Sequence, residues 1–294
     1  MKITIIGPGA IGVSLAYALA NIQNEITLLV KKEHRNLVKQ GVIRIRKLSG
    51  EISNKRIKII TELGKTDLVI LAVKSYSVET LVNQLIEIET PILCCQNGLQ
   101  TLNKLKDRIN PNLLSYLVTG AGSSKIEAGF SHHNGKGFTF IGQIEGRNGI
   151  LVQSVSDSLS INGMECKLVE NIQDYVWLKA IINSAINSIA TINRVRNGEL
   201  RNKELVKDVK NICNESTAIA QEIGIKLPLD PWKEIMTILD KTALNKCSML
   251  QDIENNQHTE IDAINGEFVR IASANNLDSR YNTLAIAKVK DITN

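Results

Sequence analysis

The sequence has no CxxC pair and no cysteine and histidine grouping at zinc-ligand spacing, although it holds five cysteines: Cys94, Cys95, Cys166, Cys213 and Cys247. An odd number without a paired pattern points away from a disulfide framework and from a structural zinc site. Reduced, structural thiols and no metal are expected. No apolar run approaches the ~20 residues of a membrane helix. The opening MKITIIGPGAIG enters a strand pattern with no charged-then-apolar leader, so a cytoplasmic protein without membrane association is the expectation. Aromatic residues are only 4% of the chain, and the basic residues behind its net charge of +5 are spread out, without a stripe or aromatic interleaving. That distribution disfavours nucleic acid as a partner and suits small anionic molecules.

What is present describes a soluble globular protein: 43% of the 294 residues are hydrophobic and 22% charged, enough chain for two domains with a sizeable core. Lys2 to Ile6 reads as a short apolar strand, Ala10 to Asn21 as a helix and Glu25 to Val30 as a second strand, together a βαβ unit. Asp67 to Val73, Ile92 to Cys95 and Leu113 to Val118 repeat the continuous apolar strand type of a parallel sheet covered on both faces, with a helix over Val78 to Ile88. Val42 to Ile60 reads as irregular or hairpin structure at the sheet's edge. Gly120 to Gly142 reads as hairpin strands extending that sheet. Beyond Lys167 the period becomes helical almost to the end, broken at Asn197-Gly198, at the Gly224 to Pro231 turn and by Gly266. The expected organisation is an α/β domain over residues 1–167 and an all-α domain over 168–294.

GPGAIG, Gly7 to Gly12, fits GxGxxG and falls where the first strand meets the first helix. Gly7 makes the tight turn, Gly9 lets backbone approach a pyrophosphate, and Gly12 allows close helix packing. Ala10 and Ile11 begin the helix, whose unpaired N–H groups and dipole favour phosphate. A Rossmann-type dinucleotide domain follows. The second strand ends LLVKKEHR, so Lys31 and Lys32 stand where an NAD site usually has a carboxylate for the ribose. That cationic pair points to NADP(H). The alternative is a loop of solvated charges with Glu33 as the ribose ligand.

In WLKAIINSAIN, residues 177–187, a helix apolar on its other sides carries Lys179, Asn183 and Asn187 at every fourth position. These stack on one face. A second polar cluster spans Asn245 to Glu267: Asn245 and Ser248 sit one turn apart, and Glu260 opens a helical run with its carboxylate against the helix dipole. Asparagine is common, at 28 residues, so only patterned positions carry weight. Spacing alone leaves two readings open for each cluster: a polar site, or a solvated stripe and a helix cap.

The motifs in sequence order resemble the ketopantoate reductase (2-dehydropantoate 2-reductase) family of pantothenate biosynthesis: GPGAIG, VKSY (73–76), QNG (96–98), the Lys-x3-Asn-x3-Asn helix, NGEL (197–200), SMLQDI (248–253) and HTEID-INGE (258–267). The likeness runs over essentially the whole chain. It implies a Rossmann-type domain followed by an all-α domain of the 6-phosphogluconate dehydrogenase C-terminal type, and NADPH-dependent reduction of ketopantoate to (R)-pantoate by a monomer or homodimer, with Lys179 as general acid. The alternatives are an NAD(P)-dependent reductase of another 2-keto or hydroxy acid on the same frame, and an NADP(H)-binding sensor without turnover. The resemblance further implies Lys179 and Glu260 as catalytic residues, with Asn183, Asn187, Asn197, Asn245, Ser248 and Asn97 at the substrate. Cofactor positions are Gly7, Gly9, Ala10, Ile11, Gly12, Lys31, Lys74, Asn97 and Glu260. Two departures stand out: Lys31 where the family commonly has Arg, losing the planar fork suited to phosphate, and Cys247 where Ser is often found. On this reading the Lys179 face is the floor of a cleft between the two domains.

Overall fold

The structure is a computed structural model and describes residues 1–21, 23–146 and 149–293. The first half of the chain runs β1 (Lys2–Ile6), α1 (Ala10–Leu19), β2 (Glu25–Leu29), α2 (Arg35–Gln40), β3 (Val42–Arg46), β4 (Ile52–Arg56), β5 (Lys58–Ile60), β6 (Leu68–Leu71), α3 (Val82–Glu87) and β7 (Ile92–Cys94). It continues through α4 (Gln100–Lys106), β8 (Leu114–Thr119), β9 (Gly122–Glu127), β10 (Phe130–Gly135), β11 (Thr139–Gln143), α5 (Ile150–Ile161) and β12 (Lys167–Leu168). The apolar runs form the expected parallel sheet, β8-β7-β6-β1-β2-β5, within a mixed sheet of eight strands in the order β12-β11-β8-β7-β6-β1-β2-β5. Register aligns Ile5 with Leu28 on one side and Ile70 on the other, and Ile70 with Leu93, so one buried row crosses the centre of the sheet. Val13, Leu15 and Leu19 of α1 and Val152, Val155 and Leu159 of α5 complete that core.

The expected hairpins form, β3 with β4 and β9 with β10, but the sheet they belong to needs correction. Of the segment Gly120 to Gly142, only β11 extends the main sheet, antiparallel to β8. β9 and β10 instead join β3 and β4 in a separate four-stranded sheet, order β4-β3-β10-β9. The reason lies in the alternation of β3: Ile43 and Ile45 are buried while Arg44 is exposed, so this strand needs cover on one face only. α1 packs against β3, β9 and β10 as well as against β1 and β2. Val78 to Ile88 is also less regular than expected, with short 3-10 turns at Ser75–Ser77 and Glu79–Leu81 preceding α3.

The second half is helical: α6 (Ile172–Asn193), a 3-10 turn at Asn197–Arg201, α7 (Leu205–Glu222), α8 (Pro231–Lys241), α9 (Ser248–Glu254), a π-helical turn at Asp262–Gly266, α10 (Glu267–Ala274) and α11 (Arg280–Thr293). Asp230 caps α8 by accepting from the N–H groups of Trp232 and Lys233, with Pro231 in the first turn. Trp177 of α6 meets Phe268 of α10 edge-on, with ring centroids 5.8 Å apart. That contact contributes about 0.5–1.5 kcal/mol beyond area burial. Among the described residues, no helix is long and apolar enough to cross a membrane.

The chain forms two compact units. One comprises Met1–Gln96 and Leu102–Ile172; the other comprises Gln173–Asn294 together with the short strip Asn97–Thr101. An α/β Rossmann-type unit is thus joined to an all-α unit that takes a strip of chain from the middle of the first. The five cysteines are free. Burial, with Cys95 alongside, pushes the Cys94 thiol far above its ordinary value, and burial raises Cys166 and Cys213 to about 11.

Candidate active site

In the α/β unit, the three glycines of GPGAIG differ in what the fold asks of them. Gly7 has φ +117°, and a Cβ there would lie 3.0 Å from the Ala72 carbonyl. A Cβ on Gly12 would overlap the Gly7 carbonyl oxygen and press 3.2 Å from Ala72 Cβ. Both are demanded by the turn and by helix packing. At Gly9 a Cβ would meet no protein atom within 4 Å. Nothing in the fold asks for glycine there, so the space beside it suits a group from outside the chain. Gly9 is the N-cap of α1, without a side-chain cap or acidic residue in the first turn, and the first N–H bonded back within the helix is that of Val13, to Gly9 O. The N–H groups of Ala10, Ile11 and Gly12 are therefore the orphan donors of a helix start. An open glycine, a bare cap and a tight turn together fit a dinucleotide pyrophosphate.

Around this cradle, the ends of neighbouring strands supply charge. Lys31 follows β2 and is exposed, paired with no carboxylate among the described residues. Lys32 lies 3.8 Å from Glu62 beyond β5, and His34 lies 3.8 Å from Glu33. Arg35 begins α2, but its side chain lies outside the described residues. Lys74, half-buried, follows β6 at the carboxyl edge next to β1, the edge at which open α/β sheets bind ligands. Gln96 is fixed on that edge, donating from Nε2 to Leu71 O at 2.8 Å and Val73 O at 3.1 Å, while its own carbonyl accepts from the Tyr116 hydroxyl.

In the helical unit, α6 explains its polar face. From Val176 to Ala190 every residue is buried except Lys179 and Asn183, one turn apart. Asn187, the next position on that face, is 5% exposed, and neither its side chain nor that of Asn183 bonds to any described residue. Amides without partners at these positions retain their donors and acceptors for a ligand.

Two Asn-Gly pairs are placed by one device. Gly98 has φ +78°, and a Cβ there would overlap the Ala263 carbonyl, 2.2 Å from its oxygen and 2.7 Å from its carbon. Its absence lets the 97–101 strip lie against the π turn, with Leu99 N–H donating to Ala263 O at 3.2 Å. Asn97 then donates from Nδ2 to Glu260 Oε2 at 3.2 Å. Glu260 is 5% exposed, so this donor helps offset the cost of burying a carboxylate. Gly198 repeats the arrangement: a Cβ would lie 2.7 Å from that of Ala243, and its absence allows Asn197 N–H to reach Asn245 O at 2.9 Å and Gly198 N–H to reach Ala243 O at 3.0 Å. The Asn197 amide is oriented by Thr242, whose hydroxyl donates to Ile238 O and must therefore accept from Nδ2 at 2.8 Å. Asn197 Oδ1 is left buried with no partner among the described residues.

Cys247 ties α9 to α6. Its sulfur accepts from Leu250 N–H at 3.4 Å as the N-cap of α9, and lies 3.6 Å from both Thr191 Oγ1 and Asn187 O. Burial pushes this thiol up. The sulfur thus performs the capping of a serine hydroxyl, and Ser248, exposed, begins α9 beside it. Asn245 and Ser248 do not share a helix turn, since Asn245 lies before the cap. Asn197 and Asn245 are joined by backbone, Asn97 and Glu260 by side chains, and Lys179, Asn183 and Asn187 by one helix face. Thr242, Ala243 and Ala263 escape sequence reasoning because their work is done by size or by backbone. Among the described residues there is no group of three or more His, Cys, Asp or Glu able to hold a metal.

Comparison with known proteins follows these motifs. The sequence pattern of the ketopantoate reductase PanE/ApbA family matches residues 3–146, and that of the ketopantoate reductase PanE/ApbA C terminal region matches residues 171–293. The 2-dehydropantoate 2-reductase of Pyrococcus horikoshii is 33% identical over 294 residues, covering 99% of this chain and 97% of the relative. That of Pyrococcus abyssi is 31% identical over 99% of this chain and 97% of its own length. Among solved structures, D-mandelate dehydrogenase with NADH and anilino(oxo)acetate shares the fold at TM-score 0.91 and 24% identity, covering 100% of this chain and 98% of that one. A PanE/ApbA family ketopantoate reductase from Ralstonia eutropha does so at TM-score 0.88 and 23% identity, with the same coverage. With both halves matched and a relative above 30% identity along nearly its whole length, the chain belongs to the ketopantoate reductase PanE/ApbA family.

Proposed function

We propose that this protein is a cytoplasmic 2-dehydropantoate 2-reductase that uses NADPH to reduce ketopantoate to (R)-pantoate, a step toward pantothenate and coenzyme A. The observation that carries the reading is the α6 face, where Lys179 and Asn183 alone stay partly open between Val176 and Ala190 in a chain whose relatives bear this activity by name. The open space at Gly9 and the bare α1 N-terminus support a dinucleotide, and Lys31 at the end of β2 supports one with a 2′-phosphate.

NADPH, when bound, supplies the hydride that goes to the keto carbon. The chain's residues handle the oxygen. Lys179 donates a proton to the ketone oxygen, and its positive charge counts most as negative charge grows there, which stabilises the transition state more than the ground state. Glu260, held by Asn97, provides the carboxylate that favours a protonated lysine. Asn183, Asn187, Asn197 and Asn245 hold hydroxyl and carbonyl oxygens without adding charge beside the lysine, and Ser248 donates to the substrate carboxylate. A site built to bond a substrate hydroxyl rejects analogues lacking it, because its own polar groups are left unpaired. The unfilled Asn197 Oδ1 is such a group.

The test is NADPH oxidation by purified protein with ketopantoate and with 2-ketoisovalerate, which lacks the hydroxyl, each repeated with NADH. Ketopantoate with NADPH should give the highest kcat/KM. A second reading, reduction of another 2-keto acid, has the support that this fold also carries D-mandelate dehydrogenase, so architecture does not choose the substrate. Preference for 2-ketoisovalerate would favour it, and lack of turnover with any keto acid would reject both.

A further inference from the structure

A buried polar network in the helical unit has no place in the chemistry above. Asn265 lies within the π turn that follows Glu260 and is 0% exposed. Its Nδ2 donates to Ser184 O of α6 at 3.1 Å and to Asn282 Oδ1 of α11 at 2.9 Å. The Asn282 amide is fixed in turn, since its Nδ2 donates to Glu215 Oε1 at 2.8 Å and to Ser216 Oγ at 3.0 Å, both on α7. Glu215 also accepts the N–H groups of Tyr281 and Asn282 at the start of α11. Ser184 donates to Ile181 O, so in its 3.2 Å contact with Ser216 it is the acceptor. Every donor in this chain has one direction, and Ser184, Ser216, Asn265 and Asn282 are all 0% exposed.

The ends of the network matter. Ser184 is the residue after Asn183, so the Asn265 bond holds α6 at its partly open face. The π turn meets the 97–101 strip at Ala263 O and begins just after Glu260. A π turn inserts an extra residue into a helix, a rare irregularity that is frequent at functional sites. Gly266 does not force it, since a Cβ there would meet only ordinary contacts.

We infer that Asn265 is a positioning residue for the proposed reduction: clamped between Ser184 O and Asn282, it holds the turn that follows Glu260 and accepts from Leu99 N–H against the helix that carries Lys179 and Asn183. This rests on the reading of the site as a keto-acid reductase. It touches neither substrate nor cofactor. Its loss acts on turnover through the geometry of the groups that do.

The experiment compares Asn265→Ala with Val209→Ala, a buried packing variant of α7, and with unsubstituted protein. It measures Tm, kcat and KM for ketopantoate with NADPH, and the Kd of 2′,5′-ADP. Asn265→Ala should lower kcat at least tenfold with the 2′,5′-ADP Kd unchanged, whereas Val209→Ala, with a comparably lowered Tm, should keep kcat within twofold. If Asn265→Ala does not fold, Asn282→Ser, which withdraws the acceptor orienting Asn265, carries the test with the same readouts and a kcat loss of at least threefold. Turnover by the unsubstituted protein with Asn265→Ala (or, failing that, Asn282→Ser) at full kcat, or an equal kcat loss in Val209→Ala, overturns the inference alone. No turnover by the unsubstituted protein overturns the reading beneath it.

Discussion

Substituting Gly9 and Gly12 separately should divide the nucleotide cradle into a part the fold needs and a part only the ligand needs. At Gly9 the backbone is extended, φ −84° and ψ −172°, a conformation alanine adopts freely, and its Cβ would touch nothing within 4 Å. Restricting the unfolded chain gains about 0.4–1 kcal/mol, while alanine is a poorer N-cap than glycine by about 0.5–1 kcal/mol. The two nearly cancel, so Gly9→Ala should shift Tm by no more than about 2 °C for a unit of this size. At Gly12 the added carbon would overlap the Gly7 carbonyl oxygen. Overpacking against backbone costs ~3 kcal/mol or more, a fall of roughly 6–12 °C. Binding should reverse the ranking of interest. A methyl on Gly9 stands where a pyrophosphate would approach the N–H groups of Ala10, Ile11 and Gly12. Losing one charge-assisted hydrogen bond worth about 1.5–3 kcal/mol weakens Kd roughly tenfold to a hundredfold. Thermal unfolding and a fluorescence titration with NADPH read both quantities on the same samples. Parental NADPH affinity in Gly9→Ala would refute the cradle, and a Tm loss matching that of Gly12→Ala would refute the claim that Gly9 is free of the fold.

Three further outcomes are expected. Gly98→Ala should destabilise by about 3–5 kcal/mol, combining left-handed backbone strain, overlap with the Ala263 carbonyl and weakening of the Asn97 bond to Glu260. Gly266→Ala, in helical backbone with only ordinary contacts, should be neutral or stabilising by up to about 1 kcal/mol, both read by urea unfolding. Lys179→Ala should chiefly lower kcat, and Asn183→Ala and Ser248→Ala chiefly raise KM, in steady-state NADPH oxidation; unchanged turnover in the lysine variant would remove the proton donor from the mechanism. Glu62→Gln, by releasing Lys32 from its 3.8 Å ion pair, should tighten 2′,5′-ADP relative to 5′-ADP by about two- to fivefold, the scale of one exposed pair, in calorimetric titrations.

The parallel sheet was legible because β1, β6 and β7 are continuous apolar runs whose burial on both faces leaves little choice of partner. The separate sheet of β3, β4, β9 and β10 was not: Arg44 pairs with Phe130 and Asn54, and strands carrying Ser123, Ser131 and Lys55 show no apolar stripe from which a partner could be named. At the site, the periodicity of Lys179, Asn183 and Asn187 could be read because a helix repeats locally. The bond from Asn97 to Glu260 joins residues 163 apart in sequence, and no local pattern encodes it; family resemblance named the two residues separately and left their pairing unread. Gly98 and Gly198 were visible as glycines, yet what each makes room for lies in another segment. Asn265, one asparagine among 28 with no periodic companion, was indistinguishable until its partners were in place.

The strip Asn97–Thr101 bears on how this protein can be divided. A fragment cut at the start of α6 would contain Lys179, Asn183 and Glu260 but not Asn97, leaving a buried carboxylate without one of its donors. A chimera joined near residue 172 with a relative would match one parent's strip to the other's π turn. Compatibility would then hinge on whether a glycine at position 98 meets a carbonyl placed like that of Ala263. The helical half is therefore not a module in the genetic sense: it is encoded in two places, and a recombination point that respects the fold must carry both.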